Sequence, residues 1–231
     1  MEKIKKIVKA VLLFILYLAY NYVIVYIIKK ICNCDISTFS PKNKILIVSI
    51  CEISLMLIFY FIYRKSLKED FKDYKNNISN YLFKGVIIWA ISVVLMIISN
   101  IIISTHVGNT AANEQVVQST IKLFPIYMLL SSVIYAPFIE ELVFRKSIRD
   151  AISNNLLYIF ISGTTFGYIH TLAGSSSNEI YFIVPYAIVG YAFAYIYTKT
   201  NNIFVSMTLH AIHNAIVVII SILTLMYAVK S

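Results

Sequence analysis

Seven runs of apolar residues, each about 17–27 residues long, account for most of this sequence. An α-helix needs about 20 such residues to cross the hydrocarbon core of a bilayer. Strands of a membrane barrel would alternate in polarity over only about 10 residues, which these runs do not. We therefore predict an all-α, polytopic transmembrane helical bundle of about seven or eight spans. The runs are 10–28, 45–63, 86–103, 121–144, 156–172, 180–197 and 203–229.

The overall composition excludes a water-soluble domain. Apolar residues make up 59% of the chain and charged residues 13%, against about 45–50% and 25% in soluble domains. A disordered chain would need low hydrophobicity and high charge. No Gly-rich or Pro-rich linker divides the sequence, so residues 1–231 are predicted to form a single integral membrane domain.

The net charge of +9 is distributed in short clusters between the apolar runs, as in proteins that contact anionic lipid headgroups. No basic groove or recognition motif points to nucleic acid. We therefore expect membrane lipid to be a partner and expect no nucleic-acid binding. The first run resembles a signal peptide but is too long for one.

Fourteen of the 20 Lys and Arg residues lie on the side of the amino terminus if the seven runs cross in turn. The positive-inside rule then predicts a multi-pass protein of the cell membrane with a cytoplasmic amino terminus. Residues 64–84 and 104–119 are predicted to be its longest inner and outer polar loops.

Two adjacent carboxylates follow a proline in the fourth run. Pro137 bends a helix and frees a carbonyl one turn earlier. Helical spacing places Glu141 and Arg145 on one face, whereas Glu140 points about 100° away. We therefore predict a structural role for Glu141 and an acid or base role for Glu140. Glu52 has no partner at helical spacing and is predicted to be structural.

Two later runs carry histidines. Phe166 and His170 share a helix face, and Gly167 permits close approach of a neighbouring helix. His210 and Asn214 lie one turn apart, with His213 beside them. Imidazoles can donate, accept or bind metal, and an amide can donate to an oxyanion.

These residues together resemble the motifs of the CPBP intramembrane protease family, which comprises CAAX-processing and bacteriocin-processing or Abi-type immunity proteins. The similar patterns are EExxxR from Glu140 to Arg145, FxxxH from Phe166 to His170 and HxxxN from His210 to Asn214. Many relatives have Gly where this chain has Lys146. The resemblance covers residues 121–231, which are predicted to be the catalytic core.

The resemblance implies an endopeptidase with a site that lies in the membrane and opens toward the cytosol. Glu140 and His170 would activate a water molecule, His210 and Asn214 would stabilise the oxyanion, and Glu141, Arg145 and Phe166 would support the site. The expected substrate is a membrane-associated peptide or a lipid-modified protein. Two alternatives stay open, an inactive immunity or scaffold protein and a proton-coupled transporter.

No metal or other cofactor is expected, because Asn214 suits an oxyanion donor and is an uncommon zinc ligand. The alternative is a Zn²⁺ ion held by Glu140, His170 and His210. At a rise of about 1.5 Å per residue, these three residues differ in depth by up to two turns. Their meeting therefore requires a tilted or broken fifth helix.

Cysteine labelling tests the orientation. In a chain whose own three cysteines are changed to serine, we expect Asn113→Cys to react with a membrane-impermeant maleimide in intact cells. Ser66→Cys should react only after the cells are opened, because the positive-inside rule places residue 66 in the cytoplasm. Labelling of position 66 from outside would overturn the assignment.

Overall fold

The computed structural model describes residues 1–33 and 35–228. Val229, the end of the last predicted run, and Lys230, one of the predicted outer charges, lie outside the described residues. The described chain contains helices and connecting turns and no β-strand. The helices are α1 (Glu2–Cys32), α2 (Pro41–Val107), α3 (Ala112–Leu123), α4 (Pro125–Ala151), α5 (Asn155–Thr171), α6 (Ile183–Thr200) and α7 (Ile203–Ala228), with 3₁₀ turns at Ile36–Thr38 and Ser177–Phe182.

The fold is an all-α membrane helical bundle, as predicted. Among the described residues, five helices are long and apolar enough to cross a membrane. Helix α2 contains two of the predicted runs, and α5, with 17 residues, contains all of another except Leu172. The five helices are Glu2–Ile31, Pro41–Val107, Pro125–Ala151, Ser177–Thr200 and Ile203–Tyr227.

The predicted inner loop at residues 64–84 is helical, which corrects the expectation. It has no proline and no glycine to stop a helix, so α2 runs through it. A straight helix of 67 residues would be about 100 Å long. However, Glu52 bonds to Ser131, and Asn100 lines the same cavity as Ser132. Helix α2 therefore bends back between its two apolar halves.

The predicted run at 121–144 is divided between α3 and α4. Phe124 leaves the helical conformation, with φ −142° and ψ 63°. Its successor Pro125 disfavours a helical backbone at the preceding residue and starts α4. The membrane helix therefore runs from Pro125 to Ala151 rather than from 121 to 144.

Side-chain contacts define two ends of the bundle. At one end, which we call the amino-terminal face, the Lys9 ammonium lies 4.3 Å from the centre of the Tyr63 ring. At this end Asn202 also donates to the backbone oxygen of Asp70 at 2.7 Å. The opposite end, which we call the α3 face, carries α3. There the Glu179 carboxylate accepts from the backbone N–H of Ala112 at 3.1 Å.

Close packing of α5 against α6 positions the histidine of the fifth predicted run. A Cβ atom at Gly167 would lie 2.7 Å from the carbonyl oxygen of Ile183 and 2.9 Å from the amide nitrogen of Ala187. Gly167 therefore permits the close helix approach predicted from the sequence. On the same helix, Phe166 packs edge-to-face on Phe144 of α4, with ring centroids 5.4 Å apart.

Candidate active site

Helix α4 carries two π-helical segments, Ser131–Tyr135 and Glu141–Ser147. In the first segment the N–H of Ala136 bonds to the oxygen of Ser131. The next bond of this register would run from residue 137 to Ser132, but Pro137 has no N–H. The Asn214 side chain instead donates to the Ser132 oxygen at 2.8 Å. The proline thus creates the acceptor that ties α7 to α4.

The predicted pairing of Glu141 with Arg145 is present. Arg145 Nε lies 3.3 Å from Glu141 Oε2, and both side chains are fully buried. The other carboxylate oxygen, Glu141 Oε1, lies 2.9 Å from Nδ1 of His210. Glu141 therefore connects the arginine on its own helix to the histidine on α7.

Two aromatic rings enclose the Arg145 guanidinium. Its central carbon lies 4.4 Å from the Phe166 ring centroid and 5.5 Å from that of Phe193. The Phe193 ring also stacks on His210 at 5.0 Å. These contacts offset part of the cost of burying a cation. Phe166 was predicted to support the site, whereas no motif pointed to Phe193.

Glu140 faces away from Arg145, toward two histidines. Its Oε2 atom lies 3.9 Å from Nε2 of His170 and 3.8 Å from Nε2 of His210. This oxygen is buried and forms no hydrogen bond within the described residues. The gaps exceed a direct hydrogen bond, and a water molecule bonded to both groups would sit beside the line between them, with its two hydrogen bonds at a narrow angle.

Hydrogen bonds at Nδ1, the ring nitrogen that points away from Glu140, orient the imidazoles of His170 and His210. Nδ1 of His170 lies 2.8 Å from the Phe166 carbonyl oxygen, which can only accept, so this nitrogen carries a proton. Nδ1 of His210 carries a proton for the same reason, because the Glu141 carboxylate beside it accepts the hydrogen bond. The Tyr186 ring stacks on His170 at 4.8 Å. In the neutral forms, both Nε2 atoms therefore present lone pairs toward Glu140.

Helix α5 is unbroken from Asn155 to Thr171. Of the two expected ways to match the depths of Glu140, His170 and His210, a broken fifth helix is therefore wrong. The tilt of the helices stays a prediction.

In the zinc alternative, Glu140 lies farther from His170 and from His210 than zinc ligands lie from one another. Zinc bonds of about 2.0–2.1 Å in a tetrahedral site place neighbouring ligand atoms about 3.3–3.4 Å apart. The observed spacings from Glu140 Oε2 are 3.8 and 3.9 Å. Within residues 1–33 and 35–228, no three His, Cys, Asp or Glu side chains form a group able to hold a metal ion. The residues as placed do not fit zinc.

A cavity of about 260 Å³ extends from Glu140 to Thr110 at the α3 face. Thr110 is exposed, whereas Glu140, Phe166 and His210 at the inner end are buried. The cavity thus opens at the end of the bundle opposite the amino terminus. A cytoplasmic amino terminus and a cytosolic opening were both expected, and this geometry makes the two expectations incompatible.

Three other residues noted in the sequence have defined contacts near the site. Glu52 accepts from Tyr127 at 2.9 Å and from Ser131 at 2.7 Å, partners that helical spacing within its own run does not reveal. His213 lines the cavity. At the departure from the family pattern, Lys146 pairs with Asp150 at 2.9 Å.

Helix α1 contributes a residue that no motif indicated. The Tyr17 hydroxyl lies 3.5 Å from Glu140 Oε1, and its ring packs on Phe144 at 5.7 Å. Tyr17 is one of several tyrosines in an apolar run, so the sequence offers no signal that would single it out.

Comparison with known proteins shows what the site is similar to. Residues 122–216 match the family described as Rce1-like, type II CAAX prenyl endopeptidase. The match includes every residue of the three patterns described above: Glu140, Glu141, Arg145, Phe166, His170, His210 and Asn214. No solved structure matches the chain significantly.

Three curated bacterial relatives are similar to the chain. The candidate membrane peptidase YdiL of Bacillus subtilis is 29% identical over 119 residues, 50% of this chain and 46% of the relative. An uncharacterized protein of Mycoplasma capricolum is 27% identical over 84% of this chain and 60% of its own. The membrane-embedded CAAX protease MroQ of Staphylococcus aureus is 30% identical over 151 residues, which are 61% of this chain and 60% of the relative. Each match spans less than two thirds of the relative.

The two adjacent carboxylates should differ in their effect on stability. Glu141→Gln leaves the buried Arg145 charge without its counter-ion, and breaking a buried pair this way costs about 3–5 kcal/mol. We expect a clearly lower melting temperature in detergent for this variant. Glu140→Gln should melt like the unchanged protein, because Glu140 is not paired with Arg145.

A double variant provides the control for this comparison. Glu141→Gln combined with Arg145→Met removes both charges and should recover part of the lost stability. A loss of stability confined to Glu140→Gln would mean that the roles of the two carboxylates are reversed.

Proposed function

We propose that this chain, whose residues 122–216 match the family described as Rce1-like, type II CAAX prenyl endopeptidase, is an intramembrane endopeptidase. It would hydrolyse a peptide bond in a membrane-associated peptide or protein. The observation that carries this proposal is the convergence of Glu140 Oε2 with the Nε2 atoms of His170 and His210 at 3.8–3.9 Å.

Glu140 is the general base of the proposed reaction. A water molecule that donates to Glu140 Oε2 and to Nε2 of His170 has its own lone pair free to attack a carbonyl carbon. Its proton passes to Glu140 as the new C–O bond forms. Glu140 then transfers that proton to the nitrogen of the leaving amine as the C–N bond breaks.

His210 and Asn214 stabilise the oxyanion of the tetrahedral intermediate. One N–H of the Asn214 amide is used by the Ser132 oxygen, so the second N–H remains for the oxyanion. His210 would donate to the oxyanion through Nε2 when that nitrogen carries a proton, while its Nδ1 stays bonded to Glu141. Such preorganised donors in a site shielded from water are the largest single source of catalysis in many hydrolases.

The substrate reaches this site from the α3 face. The charge distribution supports a cytoplasmic amino-terminal face, and with that orientation the mouth of the cavity would lie on the extracytoplasmic side of the cell membrane. The proposed substrate is therefore a peptide, or a segment of a membrane-associated protein, that is accessible from outside the cytoplasm.

The test of function uses purified protein in proteoliposomes and a library of internally quenched peptides with apolar flanks. We expect hydrolysis by the unchanged protein and a loss of at least 100-fold in Glu140→Gln, because general-base catalysis contributes about 10²–10⁴-fold. The exposed Glu69, far along α2, supplies the matched control Glu69→Gln, which should keep full activity.

Two outcomes would contradict the proposal. Full activity in Glu140→Gln would show that Glu140 is not the general base. If no peptide is cleaved by the unchanged protein, the inactive immunity or scaffold alternative is favoured, and ion flux in the same liposomes tests the transporter alternative.

We propose that the reaction needs no metal ion, since Glu140 Oε2 lies farther from each histidine Nε2 than neighbouring zinc ligands lie from each other. Activity should therefore survive prolonged treatment with EDTA, and metal analysis should find no stoichiometric zinc. The hydrogen bonds at the two Nδ1 atoms are also of the kind that orient metal-bound histidines. Loss of activity with EDTA that Zn²⁺ restores would make Glu140, His170 and His210 ligands.

A further inference from the structure

The cavity above Glu140 carries negative formal charge in a basic protein. The chain has 20 Lys and Arg residues against 11 Asp and Glu. None of the residues that line the cavity, all within the described part of the chain, is Lys or Arg. Two of them are carboxylates, Glu140 at the buried end and Glu114 near the mouth.

Glu114 is held in place at the mouth. It lies in the first turn of α3, and its Oε1 accepts from the Gln118 side chain at 3.2 Å. Gln118 also bonds to the Ser221 hydroxyl of α7 at 2.8 Å. Among the described residues, no Lys, Arg or His forms an ion pair with Glu114.

Charge at the mouth acts on any peptide that enters. Clefts with low-dielectric walls and charge of one sign concentrate the electric field and raise the local concentration of opposite charge. Glu140 at the buried end lies beside His170 and His210, so Glu114 is the carboxylate that sets the charge at the mouth. A peptide carboxylate near the mouth would meet repulsion from Glu114 and no Lys or Arg in the lining to pair with it.

We infer that Glu114 selects peptides with a basic side chain near the bond to be cleaved, and that the cavity disfavours acidic residues and a free carboxyl terminus. This inference rests on the proposed endopeptidase function and specifies its substrate class. The preferred substrate is an internal, cationic segment of a longer peptide rather than a short tail that ends in a carboxylate.

Binding to Glu140→Gln protein tests the inference without turnover. Three fluorescent peptides with identical apolar flanks and a central Lys, Gln or Glu are titrated in detergent at low salt. We expect the Lys peptide to bind about fivefold more tightly than the Gln peptide, the gain from an ion pair worth about 1 kcal/mol. The Glu peptide should bind most weakly, and amidation of its carboxyl terminus should strengthen its binding.

Substitutions at the mouth complete the test. In the Glu140→Gln background, Glu114→Gln should remove the preference for Lys over Gln, and Glu114→Lys should reverse the order of the three peptides. The control Glu69→Lys, which makes the same charge change on the exposed part of α2, should keep the original order. An unchanged order in Glu114→Lys, or equal binding of the three peptides, would overturn the inference.

Failure of this inference is distinguishable from failure of the proposed function. If the Lys peptide binds as expected but the unchanged protein never cleaves a peptide, the function fails and the selectivity stands. If all three peptides are cleaved with equal KM, and Glu114→Lys changes none of the KM values, the selectivity fails and the function stands.

Discussion

The buried pair of Glu141 and Arg145 is the interaction on which the site depends. Both side chains are fully buried inside a membrane helix, where an isolated charge is very costly. The pair is tolerated because the guanidinium lies between the Phe166 and Phe193 rings and because the carboxylate also binds His210. These contacts join α4, α5, α6 and α7 around one charge pair. Removing one partner would therefore loosen all four helices.

A second constraint comes from the membrane, because every backbone polar group inside it needs a partner. Pro137 cannot donate to Ser132, and Asn214 supplies the missing hydrogen. The same amide belongs to the motif that the family resemblance assigns to the oxyanion. One amide hydrogen of Asn214 thus bonds to the free carbonyl of α4, and the other is available for the proposed chemistry. This sharing explains why an amide, with two donors, suits the position better than a hydroxyl.

The resemblance implied a cytosolic opening, whereas the mouth of the cavity lies at the end of the bundle opposite the amino terminus. The cavity opens at the α3 face, and the charge distribution supports placing that face outside the cytoplasm. Two hydrogen bonds connect the elements of that face. The Ala112 N–H at the start of α3 donates to Glu179, and Gln118 donates to Ser221. Substrate selection by Glu114 would then act where peptides first meet the protein.

Several features of the protein were determined by the sequence alone. Run length and apolarity predicted an all-α membrane bundle, because lipid permits little else, and i, i+4 spacing predicted the Glu141–Arg145 pair. Local spacing cannot report contacts between distant helices, so Tyr17, Tyr186 and Phe193 at the site were not predicted. The bend in α2 and the partners of Glu52 also came only from the tertiary structure. So did the direction of the cavity, because it depends on which helix ends pack together rather than on any one segment.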